Sequence, residues 1–180
     1  MPIFVVTTNE QKYKDYISGL HMYDVHKYTT HINEIQSMDL ATIVKDKMYQ
    51  CKIHGFLDPT IVDDVSLELD DLHGFPGPFI KFMVTSMGLQ HMSKKFHGGY
   101  ADFHVATAFA ENDTKISSVF INSLKCQIID TPDAYGTDFE QILYIPNLHR
   151  RFTDLTVKER SEIHPRFQNV REIINKLNKQ

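Results

Sequence analysis

Residues 3–12 read Ile3-Phe4-Val5-Val6-Thr7-Thr8-Asn9-Glu10-Gln11-Lys12. The first half is a short β-branched run, the pattern of a buried strand. Asn9 then supplies a side chain that can cap a helix. Beyond it Tyr13, Tyr16, Ile17 and Leu20 recur at spacings of three and four, and Gly19 offers a stop. The segment therefore predicts strand, loop, helix. Amide groups at a helix N-terminus attract anions, and Lys12 adds a full positive charge one turn in. Thr8, Asn9 and Lys12 are candidate phosphate ligands. The ordinary alternative is a capped helix with a surface lysine.

Working outward, Met22 to Tyr28 predicts a second strand. Asp39 or Ser37 can cap a helix that carries Leu40, Ile43, Val44, Met48 and Cys51 on one stripe. Thr60 to Asp63 predicts a third strand. Pro76 or Pro78 can open a helix with Phe79, Ile80, Met83, Val84 and Met87 apolar. Past Gly98-Gly99 the period changes to two. Phe103, Val105, Thr107 and Phe109 alternate, Glu111-Asn112-Asp113 turns, and Ile116 to Leu124 returns as a hairpin. Gln127 to Asp130 extends the sheet, Ile142 to Ile145 is a short strand, and a final helix carries Phe167, Val170, Ile173, Ile174 and Leu177. Early strand–helix alternation followed by antiparallel strands predicts an α/β fold with a mixed sheet and helices packed on it.

The length of 180 residues, without repeat or linker, predicts one domain. A core of ordinary size is available, since 42% of residues are apolar and there are 12 Phe and 8 Tyr. A net charge of −4 disfavours broad nucleic-acid binding. No stretch approaches the ~20 apolar residues that span a bilayer. The first residues lack a basic n-region, and the only cysteines are Cys51 and Cys126. Both features favour a reducing, cytoplasmic setting.

Other constellations carry chemistry. Asp63-Asp64 follows Ile61-Val62, and two carboxylates at a strand end suit Mg²⁺, a hard cation that prefers oxygen. A solvated turn is the alternative. Lys47 borders the apolar stripe of its helix, so it either snorkels or faces a cleft; Lys45 has a similar claim. Gly74-Phe75-Pro76-Gly77-Pro78-Phe79-Ile80-Lys81 is a rigid turn, but a turn alone does not explain Lys81. The ten histidines show no metal-ligand spacing.

In order, these pieces resemble the inosine/xanthosine triphosphate pyrophosphatase family over nearly the whole chain. The family's T-G-N-x-x-K is matched by Thr7 to Lys12, with Thr8 in place of glycine. Its E-x-Q appears as Glu34-Ile35-Gln36. Its D-D-S-G-L type metal motif appears as Asp63-Asp64-Val65-Ser66-Leu67, and its G-G-x-P-G-x-Y as His73 to Phe79. The resemblance implies a single domain over 1–180, an elongated two-lobed α/β fold with a central mixed sheet flanked by helices and a cleft between the lobes, and a homodimer. It implies Mg²⁺-dependent hydrolysis of a nucleoside triphosphate to the monophosphate and pyrophosphate, with Mn²⁺ as an alternative metal. Lys12, Lys47 (or Lys45) and Lys81 would bind the triphosphate, with Thr8 and Asn9. Glu34 and Asp64 would hold the metal, with Asp63 beside them, and Asp64 would orient or activate the attacking water. Asp64 and Lys47 are the catalytic candidates.

The base-reading half departs from the pattern. Where the family has G-F-G-Y/W-D-P-x-F, this chain has Thr137-Asp138-Phe139-Glu140-Gln141, which leaves Phe139 as the candidate stacker. Where the family has K-N-x-x-S-H-R, this chain has Arg160 to Arg166, with His164-Pro165 replacing serine–histidine. Arg160, His164 and Arg166 are candidate substrate contacts, with His164 and Arg166 near the base and Arg160 keeping the positive charge of the family's lysine. Such rewriting is compatible with inosine or xanthosine, with a pyrimidine or modified base as in Maf-like proteins, or with nucleotide binding without hydrolysis.

Overall fold

The structure is a computed structural model that describes residues 2–30, 32–55, 59–111 and 118–179. It is a mixed α/β protein. Strands β1 (Ile3–Val6), β2 (Val25–Tyr28), β3 (Thr60–Leu69), β4 (Pro76–Gly77), β5 (Tyr100–Ala110), β6 (Ser118–Ile128), β7 (Leu143–Ile145) and β8 (Arg150–Arg151) share one open sheet. Its order is β2-β1-β3-β5-β6-β7-β8, with β4 hydrogen-bonded to β3. The β1 strand is parallel to β2 and to β3, whereas β3–β4, β6–β7 and β7–β8 are antiparallel. The helices are α1 (Glu10–Gly19), α2 (Leu40–Ile53), α3 (Ile80–Met87), α4 (Leu89–Lys95), α5 (Val157–Ile163) and α6 (Pro165–Leu177). The chain divides into two compact units, one of residues 1–64, 105–122 and 164–180, the other of residues 65–104 and 123–163.

In the first unit, alternation along the strands sorts the apolar residues to two faces. Ile3, Val5 and Ile61 pack with Tyr16 and Leu20 of α1, Phe109 of β5, and Val170 and Ile173 of α6. Val6 and Val62 point the other way, onto Leu40, Ile43, Val44 and Met48 of α2. Asn9 caps α1 through its side-chain oxygen, which accepts from the Gln11 and Lys12 amides at 2.8 and 3.1 Å. Asp39 caps α2 in the same way, accepting from the Ala41 and Thr42 amides, while Ser37 accepts the Asp39 amide. The cap of α2 is therefore Asp39.

Gly19 does not stop α1 by a left-handed turn. It is the last helical residue and has no positive φ. Its role is close approach: a Cβ there would lie 2.9 Å from Val170 Cγ1 and 3.3 Å from Phe167 Cδ1. Gly19 lets α1 and α6 pack backbone-close.

In the second unit, Phe103 is the centre of an aromatic core. Phe139 meets it edge-on at 5.3 Å and Phe152 at 6.1 Å. Leu67, Leu69, Ile80, Val84, Leu89, Met92, Ile142 and Leu143 are also buried here.

Several sequence expectations change. The third strand runs to Leu69, because alternating Val65, Leu67 and Leu69 prolong it past the acids. Leu67 and Glu68 are strand residues, and the turn that follows is Asp70–Leu72. Pro76 does not open a helix, since Pro76–Gly77 pairs with Glu68 and Leu67. The helix runs from Ile80 to Met87 and is capped by Gly88, where φ is 79°. The short elements β8, α4 and α5 carry little periodicity and were not expected from sequence. Of the hairpin, Asn112, Asp113 and Ile116 lie outside the described residues.

Candidate functional site

The candidate site residues of the first unit fall into two groups, and strand geometry separates them. Asp63 and Asp64 are consecutive in β3, so their side chains leave opposite faces of the sheet. Asp64 shares its face with Val62 and meets α2. Asp63 shares its face with Ile61 and meets α1 and α6.

On the α2 face, Lys47 lies on the stripe of Ile43, Val44, Met48 and Cys51 and is 7% exposed. A lysine held in that stripe needs an anion at its tip. It has two: its Nζ donates to Asp64 Oδ2 at 3.0 Å and pairs with Glu34 Oε1 at 2.9 Å. Burial opposes the ammonium charge, but Asp64 and Glu34 outweigh it and raise the Lys47 pKa above the ordinary lysine value. Lys45 is exposed on the same helix. The choice left open by sequence is thereby narrowed: Lys47, not Lys45, joins Glu34 and Asp64.

On the opposite face, Asp63 is enclosed. Lys12 Nζ donates to its Oδ1 at 2.8 Å and Arg166 Nε to its Oδ2 at 2.7 Å, with the Tyr16 hydroxyl 3.4 Å from Oδ2. Arg166 Nη1 also reaches Asp15 Oδ2 at 2.6 Å. Tyr16 shares a hydrogen bond with Thr107 Oγ1 at 3.0 Å, and Asn169 Nδ2 donates to Thr107 Oγ1 and to the Val105 carbonyl. Burial would raise the Asp63 pKa, but Lys12 and Arg166 override it and hold the carboxyl well below the usual carboxylate range. Burial likewise disfavours the Arg166 charge, and Asp63 outweighs that cost. Burial and the Asp63 charge together push the Tyr16 hydroxyl well above its ordinary value.

These contacts correct two expectations. Asp63 does not stand beside Asp64 at a metal, because both of its oxygens are engaged in a buried ion network on the other face. His164 is fully buried as the N-cap of α6, its Nδ1 accepting the Arg166 amide at 3.0 Å, so it caps a helix instead of facing a base. Arg166 is buried with Asp15 and Asp63. The sequence reading missed Asp15, Tyr16, Thr107 and Asn169. The available signal was an aspartate beside a stripe tyrosine on α1.

Among the remaining candidates of this unit, Thr8 and Asn9 are exposed, and the Asn9 side-chain oxygen is occupied by its cap.

The second unit holds Lys81, Phe139 and Arg160. Lys81 is exposed in the first turn of α3. Phe139 is buried against Phe103, which makes its ring part of the core and corrects its reading as a base stacker. Arg160 pairs with Glu140 at 2.9 Å and covers the Phe152 ring at 4.9 Å. Burial first, then the Glu140 charge, raises the pKa of the neighbouring Asp138.

A divalent cation can be tested against these side chains. Among the described residues no group of three or more His, Cys, Asp or Glu is disposed to hold a metal ion. Mg²⁺ does not require such a cage: it is commonly held by one or two carboxylates together with substrate phosphates. Glu34 and Asp64, converging on one ammonium, supply that donor set. With Lys47 they carry a net single negative charge, which a divalent cation would turn positive and so attractive to polyphosphate.

The Ham1 family profile matches residues 3–176. The chain belongs to the Ham1 family. It is 29% identical over 164 residues to the dITP/XTP pyrophosphatase of Saccharolobus solfataricus, spanning 88% of this chain and 84% of that protein. It is 34% identical over 101 residues to the inosine triphosphate pyrophosphatase of Saccharomyces cerevisiae, about half of each chain at 51%. The HAM1 protein structure from Coxiella burnetii superposes over 100% of both chains with a TM-score of 0.76 at 18% identity, a likeness of fold. The Ham1 relatives are thus named as nucleoside triphosphate pyrophosphatases, hydrolases of acid anhydrides. No helix among the described residues is long and apolar enough to cross a membrane.

Proposed function

We propose that this Ham1 protein hydrolyses a nucleoside triphosphate with an inosine- or xanthosine-like base to the monophosphate and pyrophosphate. The observation that carries the reading is the placement of Lys47 between Glu34 and Asp64. Attack at the α-phosphorus releases pyrophosphate, so negative charge grows on the leaving group. Positive charge fixed beside it lowers that barrier more than it lowers the ground state. Lys47 is held rigidly, in a buried stripe, by two carboxylates that keep it protonated.

A divalent cation held by Glu34 and Asp64 would neutralise phosphate charge and lower the pKa of a bound water. The protein's own part is positioning. Asp64, whose Oδ2 accepts from Lys47 Nζ, is the acceptor that orients an attacking water. The family resemblance assigns Lys12, in the first turn of α1, to the phosphates as a second cation; its ammonium pairs with Asp63, whose side chain leaves the face of β3 opposite Asp64. The family resemblance assigns Lys81 to the phosphates as well, a role that the Lys81→Ala variant tests through KM. A homodimer is proposed on the same ground, and light scattering tests it.

The test of the function is pyrophosphate release with Mg²⁺ from ITP, XTP, dITP, ATP, GTP, CTP and UTP. Turnover of the inosine and xanthosine nucleotides, lost in Asp64→Asn, supports the reading. Preference for a pyrimidine would assign a different base to the same phosphate chemistry. Binding without turnover would leave a nucleotide-binding protein.

A further inference from the structure

Arg166 is the arginine that the sequence pattern offered to the nucleobase. Its surroundings give it other work. The side chain is 3% exposed, and its guanidinium bridges Asp15 and Asp63 at 2.6 and 2.7 Å. An arginine fork held at both ends by buried carboxylates is fixed in place. The other oxygen of Asp63 accepts from Lys12 Nζ at 2.8 Å. Lys12 is the least buried member of this set, with 16% of its side chain exposed. The contacts run Asp15, Arg166, Asp63, Lys12: the first three are about equally buried and Lys12, at the end of the series, is the most exposed. Two cations and two carboxylates balance, so Asp63 keeps a cationic partner even if Lys12 turns toward a different anion.

We propose that Arg166 is a positioning residue for Lys12: through Asp63 it fixes where the Lys12 ammonium is offered to the triphosphate, and it does not read the base. This rests on the proposed function for the identity of the substrate, but its distinctive consequence concerns phosphate alone. A base reader changes the ratio of kcat/KM among nucleotides. A residue acting through Lys12 lowers kcat/KM for every nucleotide by one factor and weakens inorganic tripolyphosphate, which has no base.

The experiment compares wild type, Arg166→Lys, Lys12→Met and the double variant in the full chain. Calorimetry measures tripolyphosphate affinity with Mg²⁺, and pyrophosphate release measures kcat/KM across the nucleotide panel. Arg166→Lys keeps the charge and loses the fork. It is expected to weaken tripolyphosphate about tenfold, with the base ratio unchanged. In the Lys12→Met background it is expected to add nothing further, since the path through Lys12 is gone. Full additivity of the two changes, or an altered base ratio with tripolyphosphate binding intact, would overturn the inference. If Arg166→Lys does not fold, Asp15→Asn loosens the other end of the same fork and carries the same expectations. Should wild type bind tripolyphosphate yet turn over no nucleotide, the proposed function fails while the Lys12–Arg166 coupling remains measurable.

Discussion

Asp63 and Asp64 are neighbours in the chain and partners of different helices: one is locked to Arg166 of α6 on one face of β3, the other to Lys47 of α2 on the opposite face. The consequence is a division of labour. Asp64 stays 19% exposed at its side chain and in reach of a ligand, whereas Asp63 at 3% ties α1, β3 and α6 together.

Removing Arg166 by substitution with methionine should therefore destabilise the fold by about 3–5 kcal/mol, because it takes away the guanidinium that pairs with both buried carboxylates, Asp15 and Asp63. Urea unfolding of wild type and Arg166→Met at pH 7 checks this. A loss below 1 kcal/mol would show that the network is not holding the helices.

The same pair gives a pH dependence. Asp63 is held below its unfolded value, so its contribution is fully present above the ordinary aspartate pKa near ~4. It is lost as pH falls from there toward the depressed folded value. The expected outcome is that Asp63→Asn, destabilised at pH 7, differs progressively less from wild type as pH drops from 5 to 2. A constant difference over that range would show that Asp63 is not the titrating group.

Gly19 should not accept a side chain. Alanine there gains helix propensity of about 1 kcal/mol but drives its Cβ into Val170 at 2.9 Å. A net loss of about 1–2 kcal/mol is expected for Gly19→Ala and more for Gly19→Val, read by thermal unfolding. Unchanged stability of Gly19→Val would show that α1 and α6 are not in close contact in solution.

The thiols should be inert in the native state. Both are buried, and burial pushes Cys51 up to about 11 and Cys126 up to about 12. A thiol reagent at pH 8 is expected to label neither until denaturant is added. Fast native labelling of either would contradict the packing of α2 or β6.

Much of the fold was legible in the sequence because its local signals agree with its packing. The run Ile3 to Val6, the Asn9 cap and the final apolar stripe each specify one element. The acids misled because Asp63 and Asp64 look like a strand-ending pair, whereas β3 continues and its pleat sends them apart. Phe139 and His164 were assigned by alignment to a base. In the structure one is a core ring and the other a helix cap, outcomes set by contacts with Phe103 and with the Arg166 amide that sequence spacing does not encode. Lys47 was separable from Lys45 only by seeing which of the two meets Asp64.

Lys47 should be worth more to rate than to stability. Lys47→Met removes a fixed cation from beside the leaving group, so kcat/KM should fall about 10²–10³-fold, the usual effect of losing one electrostatic stabiliser. Steady-state pyrophosphate release measures it, with Lys45→Met as the comparison expected to lie close to wild type. Equal losses in both variants would remove the distinction that α2 draws between them.

The most direct test sets Asp64→Asn against wild type in pyrophosphate release from ITP, XTP and dITP with Mg²⁺. The expected result is stoichiometric monophosphate and pyrophosphate from wild type and a loss of turnover of at least about 10²-fold in the variant, with tripolyphosphate still bound. Turnover by Asp64→Asn at the wild-type rate, or no turnover of any nucleotide by wild type, would contradict the account.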